Sequence, residues 1–211
     1  MLSVLSADVS RLDAGIRSLP LSQYRLEKLN RTTNEKAYRQ SLGAELLLLR
    51  LLQELCPALS APLDIVAGED GKPELRGREL YFSLSHSGDR AVCAVSDSPV
   101  GVDIQKAEPF HEALSRRFFT AGEHAALLAA DDRDYAFTRL WCLKESYLKY
   151  LGTGLSKPLA SFELSLDGSG APVHPGDDSC RLWHMADSGY HLAVCSAADE
   201  KEMICKQAEP L

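Results

Sequence analysis

With 211 residues, the chain is long enough for one large domain or two small lobes with a buried core. Apolar residues make up 45% and charged residues 25%, the balance of an ordinary globular protein rather than a disordered one. A net charge of −7 argues against nucleic acid as the main partner, because phosphate binding needs a basic face.

The six cysteines, at 56, 93, 142, 180, 195 and 205, form no C-x-x-C and no regular spacing, so neither a zinc site nor a disulfide framework is expected. They read as reduced thiols of a cytoplasmic protein. "MLSVLSADVSRLDAG" lacks the basic n-region and apolar run of a signal peptide. The longest apolar stretch, "LGAELLLLRLLQEL", is broken by Glu45 and Arg50, which suits a core helix and not a membrane span.

In chain order, residues from about Asn34 to Leu55 carry a helical pattern that Pro57 ends. A polar turn, "GEDGKPEL", follows. "LYFSLS" and "RAVCAVS" read as neighbouring strands, and "VGVDIQ" as another after the Ser98-Pro99 break. Helices are expected over Phe110 to Phe119, over Thr120 to Ala130, and through "WCLKESYLKY" to about Leu151, where Gly152 stops the last one. Thr120 and Glu123 form a capping box. "SFELSL", "RLWHM" and "YHLAVCS" close the chain as strands. Because "RAVCAVS" and "HLAVCS" echo each other, the expected fold class is α+β, with two similar lobes meeting near residue 100, each a small antiparallel sheet packed with helices.

Along "VGVDIQ", Val100, Val102 and Ile104 point one way while Asp103 and Gln105 point the other, and Gly101 leaves room beside them. Two oxygen-bearing side chains, joined by Glu145, make a set suited to Mg²⁺, which takes few protein carboxylates. A strand-end aspartate facing solvent is the plainer alternative. His86, among Ser85, Ser87 and Gly88, marks either a turn built for an anion or a histidine satisfied by local backbone. On the helix of "WCLKESYLKY", Phe137, Trp141, Lys144 and Leu148 share one stripe, and Thr138, Cys142, Glu145 and Lys149 share the next. Glu145 and Lys149 are spaced for an i,i+4 ion pair. Lys144 lies in an apolar stripe, from which it must snorkel or reach an anion.

Five segments in order and spacing carry a resemblance: "GKP" at 71–73, "FSLSHS" at 82–87, "GVDIQ" at 101–105, "RFFTAGE" at 117–123 and "WCLKESYLKY" at 141–150. Together they resemble the 4′-phosphopantetheinyl transferases of the surfactin-synthetase-activating type. The resemblance implies a pseudo-two-fold monomer, with a lobe over 1–100 holding coenzyme A motifs and a lobe over 101–211 holding the metal site and carrier contacts. It implies Mg²⁺ as cofactor, coenzyme A as substrate, an acyl or peptidyl carrier protein as partner, and adenosine 3′,5′-bisphosphate as product. Carried over by position, Asp103, Glu145 and Gln105 are metal ligands. Lys72, His86, Ser85 and Arg39 contact coenzyme A, and Lys144 and Lys149 flank the reacting pyrophosphate. Many relatives have Glu where this chain has Gln105, whose amide offers an oxygen directly or through water. The acidic faces typical of such carriers point to Arg116 and Arg117, with Phe118 or Phe119, as a docking surface between about Phe110 and Glu123.

Overall fold

The computed structural model describes residues 1–13, 19–68, 71–77 and 79–211, so Glu69 and Asp70 of the expected polar turn lie outside the described residues. Strand β1 (Leu2–Asp8) opens the chain, followed by helices α1 (Gln23–Asn30) and α2 (Glu35–Leu55). A small hairpin, β2 (Ile65–Ala67) and β3 (Pro73–Leu75), precedes β4 (Tyr81–Ser87), β5 (Arg90–Ser96) and β6 (Val100–Lys106). Three helices come next: α3 (Glu112–Phe118), α4 (Ala121–Ala129) and α5 (Arg133–Leu151). The chain ends with the short pair β7 (Ser165–Leu166) and β8 (Pro172–Val173), then β9 (Cys180–Asp187), β10 (Tyr190–Ala197) and β11 (Met203–Gln207).

Two sheets organise these elements, one in the order β11-β1-β5-β4 and the other in the order β6-β10-β9. Each carries one long helix on a face. Leu42, Leu48 and Leu52 of α2 pack with Leu5, Cys93 and Val95 of the first sheet, and Cys142, Leu143 and Tyr147 of α5 pack with Ala193 and Cys195 of the second. The echoed segments occupy equivalent places, since β5 and β10 are each an inner strand entered from a tight hairpin. Between the sheets lies a third apolar layer, where Val4, Val92 and Ala94 meet Val100, Val102, Ile104 and Val194. The alternation in "VGVDIQ" thus buries its valines and isoleucine there and turns Asp103 and Gln105 the other way.

The chain does not part cleanly at residue 100. β11 crosses back to run parallel with β1, with Leu2 opposite Met203 and Ser6 opposite Gln207, so residues 203–207 complete the first sheet and make it mixed rather than antiparallel. The crossing covers an edge that β1 would otherwise expose. "SFELSL" also departs from expectation, being strand only at Ser165–Leu166. The Phe162 carbonyl and the Leu164 amide are taken by the side chains of Lys144 and Glu123, which leaves no backbone ladder for that stretch.

Local signals account for the helix ends near the seam. Asn34 caps α2 by accepting from the Ala37 amide at 2.9 Å. Thr120 and Glu123 form the reciprocal capping box of α4. α5 stops at Gly152, whose φ of +79° a residue with a side chain rarely adopts.

Candidate active site

The site lies where β4, β6 and α5 meet. β4 and β6 belong to different sheets and are joined by side chains. Ser83 Oγ accepts from the Val102 amide at 3.0 Å, Ser87 Oγ accepts from the Lys106 amide at 3.0 Å, and between them Ser85 Oγ donates to Asp103 Oδ1 at 2.6 Å. Residues two apart on a strand share a face, so the alternating serines of "FSLSHS" turn all three hydroxyls towards β6.

Asp103 is the centre of this seam and is only 2% exposed. Besides Ser85, it accepts from Lys149 Nζ at 2.6 Å on Oδ1 and from Gln105 Nε2 at 2.8 Å on Oδ2. Gly101 lets the helix come this close. A Cβ there would stand 2.0 Å from the Ser146 carbonyl oxygen and 2.3 Å from the Tyr150 nitrogen, so α5 rests directly on the backbone of β6.

Glu145, on the same stripe of α5 as Lys149, has no hydrogen bond or ion pair among the described residues. Lys149 pairs with Asp103 instead of the i,i+4 partner that spacing suggested. Burial, then the negative charge of Asp103, pushes the Glu145 carboxyl above its usual range, with Lys149 opposing. Two neighbouring carboxylates and a single ammonium leave the site short of positive charge. Among the described residues no group of three or more His, Cys, Asp or Glu side chains converges as a metal cage. The available oxygens are those of Asp103, Glu145 and the Gln105 amide, which suit a hard cation that completes its shell with water and phosphate oxygens.

Beside this seam opens a pocket of about 380 Å³, bordered by Arg25, Lys28, Lys72, Ser85, His86 and Lys149 among others. Its cations repel one another. Burial, then Arg25 and Lys149, holds the Lys28 ammonium below its usual range. The His86 ring keeps an exposed surface, yet loss of water around it and the charges of Lys28, Lys149 and Arg25 push it down to about 4. Burial likewise lowers Lys72 to about 8, against the pull of Glu74. Lys72 Nζ donates to the Val100 carbonyl at 2.9 Å and to the Lys149 carbonyl at 2.6 Å, tying the first lobe to β6 and to the end of α5.

Seven of the nine residues expected from sequence therefore meet at or beside the seam: Asp103, Gln105, Glu145, Lys149, Ser85, His86 and Lys72. Two do not. Lys144 is fully buried, and its Nζ donates to both Glu123 oxygens and to the Phe162 carbonyl, each at 2.6 Å, with the Phe162 ring 4.3 Å below. Its three protons are used in holding α4 and the Phe162 segment on α5, so it reaches no phosphate. Arg39 donates to the Ser10 carbonyl at 2.9 Å and to Glu35, and borders a separate hollow beside Gly88 and Asp89.

The pocket residues that α1 contributes, Tyr24, Arg25 and Lys28, went unpredicted. Their signal was Ser22 preceding "QYRLEK", a helix cap that the Arg25 amide fills at 3.2 Å. In the expected docking segment, Phe119 is 4% exposed and packs with Phe137 in the core, whereas Phe118 is half-buried against Trp141. Arg116 is exposed and paired with Glu112 at 2.7 Å.

The chain is similar to proteins of known function. The family described as the 4′-phosphopantetheinyl transferase superfamily matches residues 99–195, from just before β6 into the second half of β10. The chain is 35% identical over 181 residues to the 4′-phosphopantetheinyl transferase psf-1 of Bacillus pumilus, covering 79% of this chain and 76% of that protein. It is 33% identical over 185 residues to the 4′-phosphopantetheinyl transferase Sfp of Bacillus subtilis strain 168, covering 84% of this chain and 82% of the relative. Among solved structures, the holo-[acyl-carrier-protein] synthase of Neisseria meningitidis is similar over 49% of this chain and 98% of its own, at 21% identity and a TM-score of 0.43.

Proposed function

Because the chain belongs to the 4′-phosphopantetheinyl transferases, we propose that it moves the 4′-phosphopantetheine arm of coenzyme A to a serine of an acyl or peptidyl carrier protein, with adenosine 3′,5′-bisphosphate as the second product. The observation that carries this reading is the convergence of Asp103, Glu145 and Lys149 beside a pocket rich in cations. Such a pocket suits a ligand bearing several phosphates. Carboxylates next to it suit a dependence on magnesium.

In this reading Asp103 and Glu145, with the amide oxygen of Gln105, would hold the magnesium ion. When bound, it neutralises charge on the pyrophosphate and favours loss of the bisphosphate. The chain itself does the positioning. Arg25, Lys28, Lys72 and His86 anchor the phosphates, and the ammonium of Lys149 faces the bridging oxygen that leaves with the nucleotide. Glu145, unpaired among the described residues and with a raised proton affinity, is placed to take the proton of the attacking serine. Ser85 fixes the carboxylate of Asp103.

For the carrier, the surface from Phe110 to Glu123 offers Arg116 and Arg117 for steering, and the exposed Leu114 with half-buried Phe118 for apolar contact. Reversing both arginine charges is expected to raise the KM for carrier and leave that for coenzyme A unchanged. The transfer itself is tested by intact mass of an apo-carrier incubated with coenzyme A and magnesium. Gain of the arm supports the reading. Cleavage of coenzyme A with no change in carrier mass would identify a phosphohydrolase instead.

A further inference from the structure

Among the buried residues of α2 from Leu42 to Leu52, the one charged side chain is Glu45, which is fully buried. A core needs no charge at such a position, and taking an ion pair out of water carries a desolvation penalty. Its partners show where that charge is directed. Glu45 Oε2 accepts from Arg25 Nε at 3.2 Å, and Oε1 accepts from the Ser22 amide at 3.0 Å. Arg25 Nη1 donates to Ser41 Oγ at 2.6 Å. Arg25 is itself 4% exposed and borders the cationic pocket. Its remaining terminal nitrogen, Nη2, has no hydrogen-bond partner among the described residues and is not fully buried, on a residue that lines the pocket.

We infer that Glu45 is a positioning residue for ligand binding. From α2, with Ser41, it fixes the plane of the Arg25 guanidinium so that the free Nη2 edge presents its donors to a phosphate oxygen of coenzyme A. This rests on the functional reading above. A guanidinium clamped at two of its nitrogens loses little freedom when the third meets an anion, which is the advantage of a preorganised fork over a free lysine. The Ser22 amide bond matters in the same way. Ser22 caps α1, so one carboxylate sets both the position of the helix that carries Arg25 and Lys28 and the direction of the guanidinium.

Calorimetric titration with coenzyme A tests the inference on the full chain, using the wild type, Glu45→Gln, and the double variant Arg25→Met with Glu45→Met. Replacing both partners of a buried pair by apolar groups is often neutral or stabilising, so the double variant separates folding from binding. Glu45→Gln is expected to weaken coenzyme A about tenfold or more, with kcat at saturating coenzyme A unchanged. The double variant is expected to match the wild type in urea unfolding and still bind weakly. Wild-type affinity in a folded Glu45→Gln, or recovery of affinity in the double variant, would overturn the inference. A wild type that fails to bind coenzyme A would overturn the functional reading, and this inference with it.

Discussion

Lys149 Nζ lies 2.6 Å from Asp103 Oδ1, so one ammonium from α5 neutralises the carboxylate of β6 while the nearby Glu145 side chain has no hydrogen-bond or ion-pair partner among the described residues. Under the proposed function, this ammonium and a bound divalent cation would compete for the carboxylate oxygens of Asp103. Lys149→Met is therefore expected to bind Mn²⁺ more tightly than the wild type in the absence of coenzyme A, yet to transfer the arm far more slowly. Calorimetric titration with Mn²⁺ checks this, and weaker binding by the variant would count against the shared position.

Gly101→Ala tests the close approach of helix and strand. Its Cβ would fall 2.0 Å from the Ser146 carbonyl oxygen, a contact that only movement of α5 can relieve. Overpacking of this kind costs about 1–3 kcal/mol. The urea midpoint should fall accordingly, and transfer should fall further still because Glu145 and Lys149 ride on the displaced helix.

The two lysines of "WCLKESYLKY" should separate cleanly. Lys144→Met strands Glu123, whose side chain is only 2% exposed, and is expected to cost about 3–5 kcal/mol in urea unfolding. Its effect on coenzyme A affinity per folded molecule should be small. Lys149, with a side chain 29% exposed, should cost less than half as much on substitution by methionine while abolishing most activity. A Lys144→Met protein of normal stability would contradict the role assigned to its bond with Glu123.

That contrast shows what could and could not be read from the sequence. Alternation in "VGVDIQ" is a local property, and it put Asp103 and Gln105 on one face; the cap at Thr120 and the stop at Gly152 are equally local. The fate of Lys144 depends on Glu123, 21 residues away, whose cap was legible but whose second use was not. Arg39 was misplaced for a similar reason, since its partner is the carbonyl of Ser10 beyond the end of β1. The eight residues of α1 give little periodic signal, so Arg25 and Lys28 emerged only when the helix was seen docked on α2 through Glu45. β11 pairs with β1 across almost the whole chain, a match that no local pattern announces.

His86 gives a pH dependence of known sign. Its ring is pushed down to about 4 by burial and by Lys28, Lys149 and Arg25, so the free protein holds it neutral at pH 7. A bound polyanion favours the imidazolium and raises that value. Binding then takes up a proton, and coenzyme A affinity is expected to rise as pH falls from neutral, levelling near 4. Titrating His86→Ala alongside the wild type removes the contribution of the ligand's own phosphates. The unfolded chain takes this proton first, near 6.5, so the His86 contribution to stability in the free protein should decline as pH falls from about 6.5 towards 4. Identical pH profiles of affinity for the two proteins would remove His86 from the phosphate site.

Under the proposed function, the carboxylates at the seam of β6 and α5 carry the transfer. The most direct measurement is the rate at which Glu145→Gln adds the phosphopantetheine arm to an apo-carrier, with coenzyme A and magnesium saturating and the fold verified by circular dichroism. Glu145 has no structural partner to lose among the described residues, so the variant should fold as the wild type does. A fall in rate of about a thousandfold or more is expected, the scale for loss of a proton acceptor together with an anionic metal ligand. A rate within about tenfold of the wild type would contradict it.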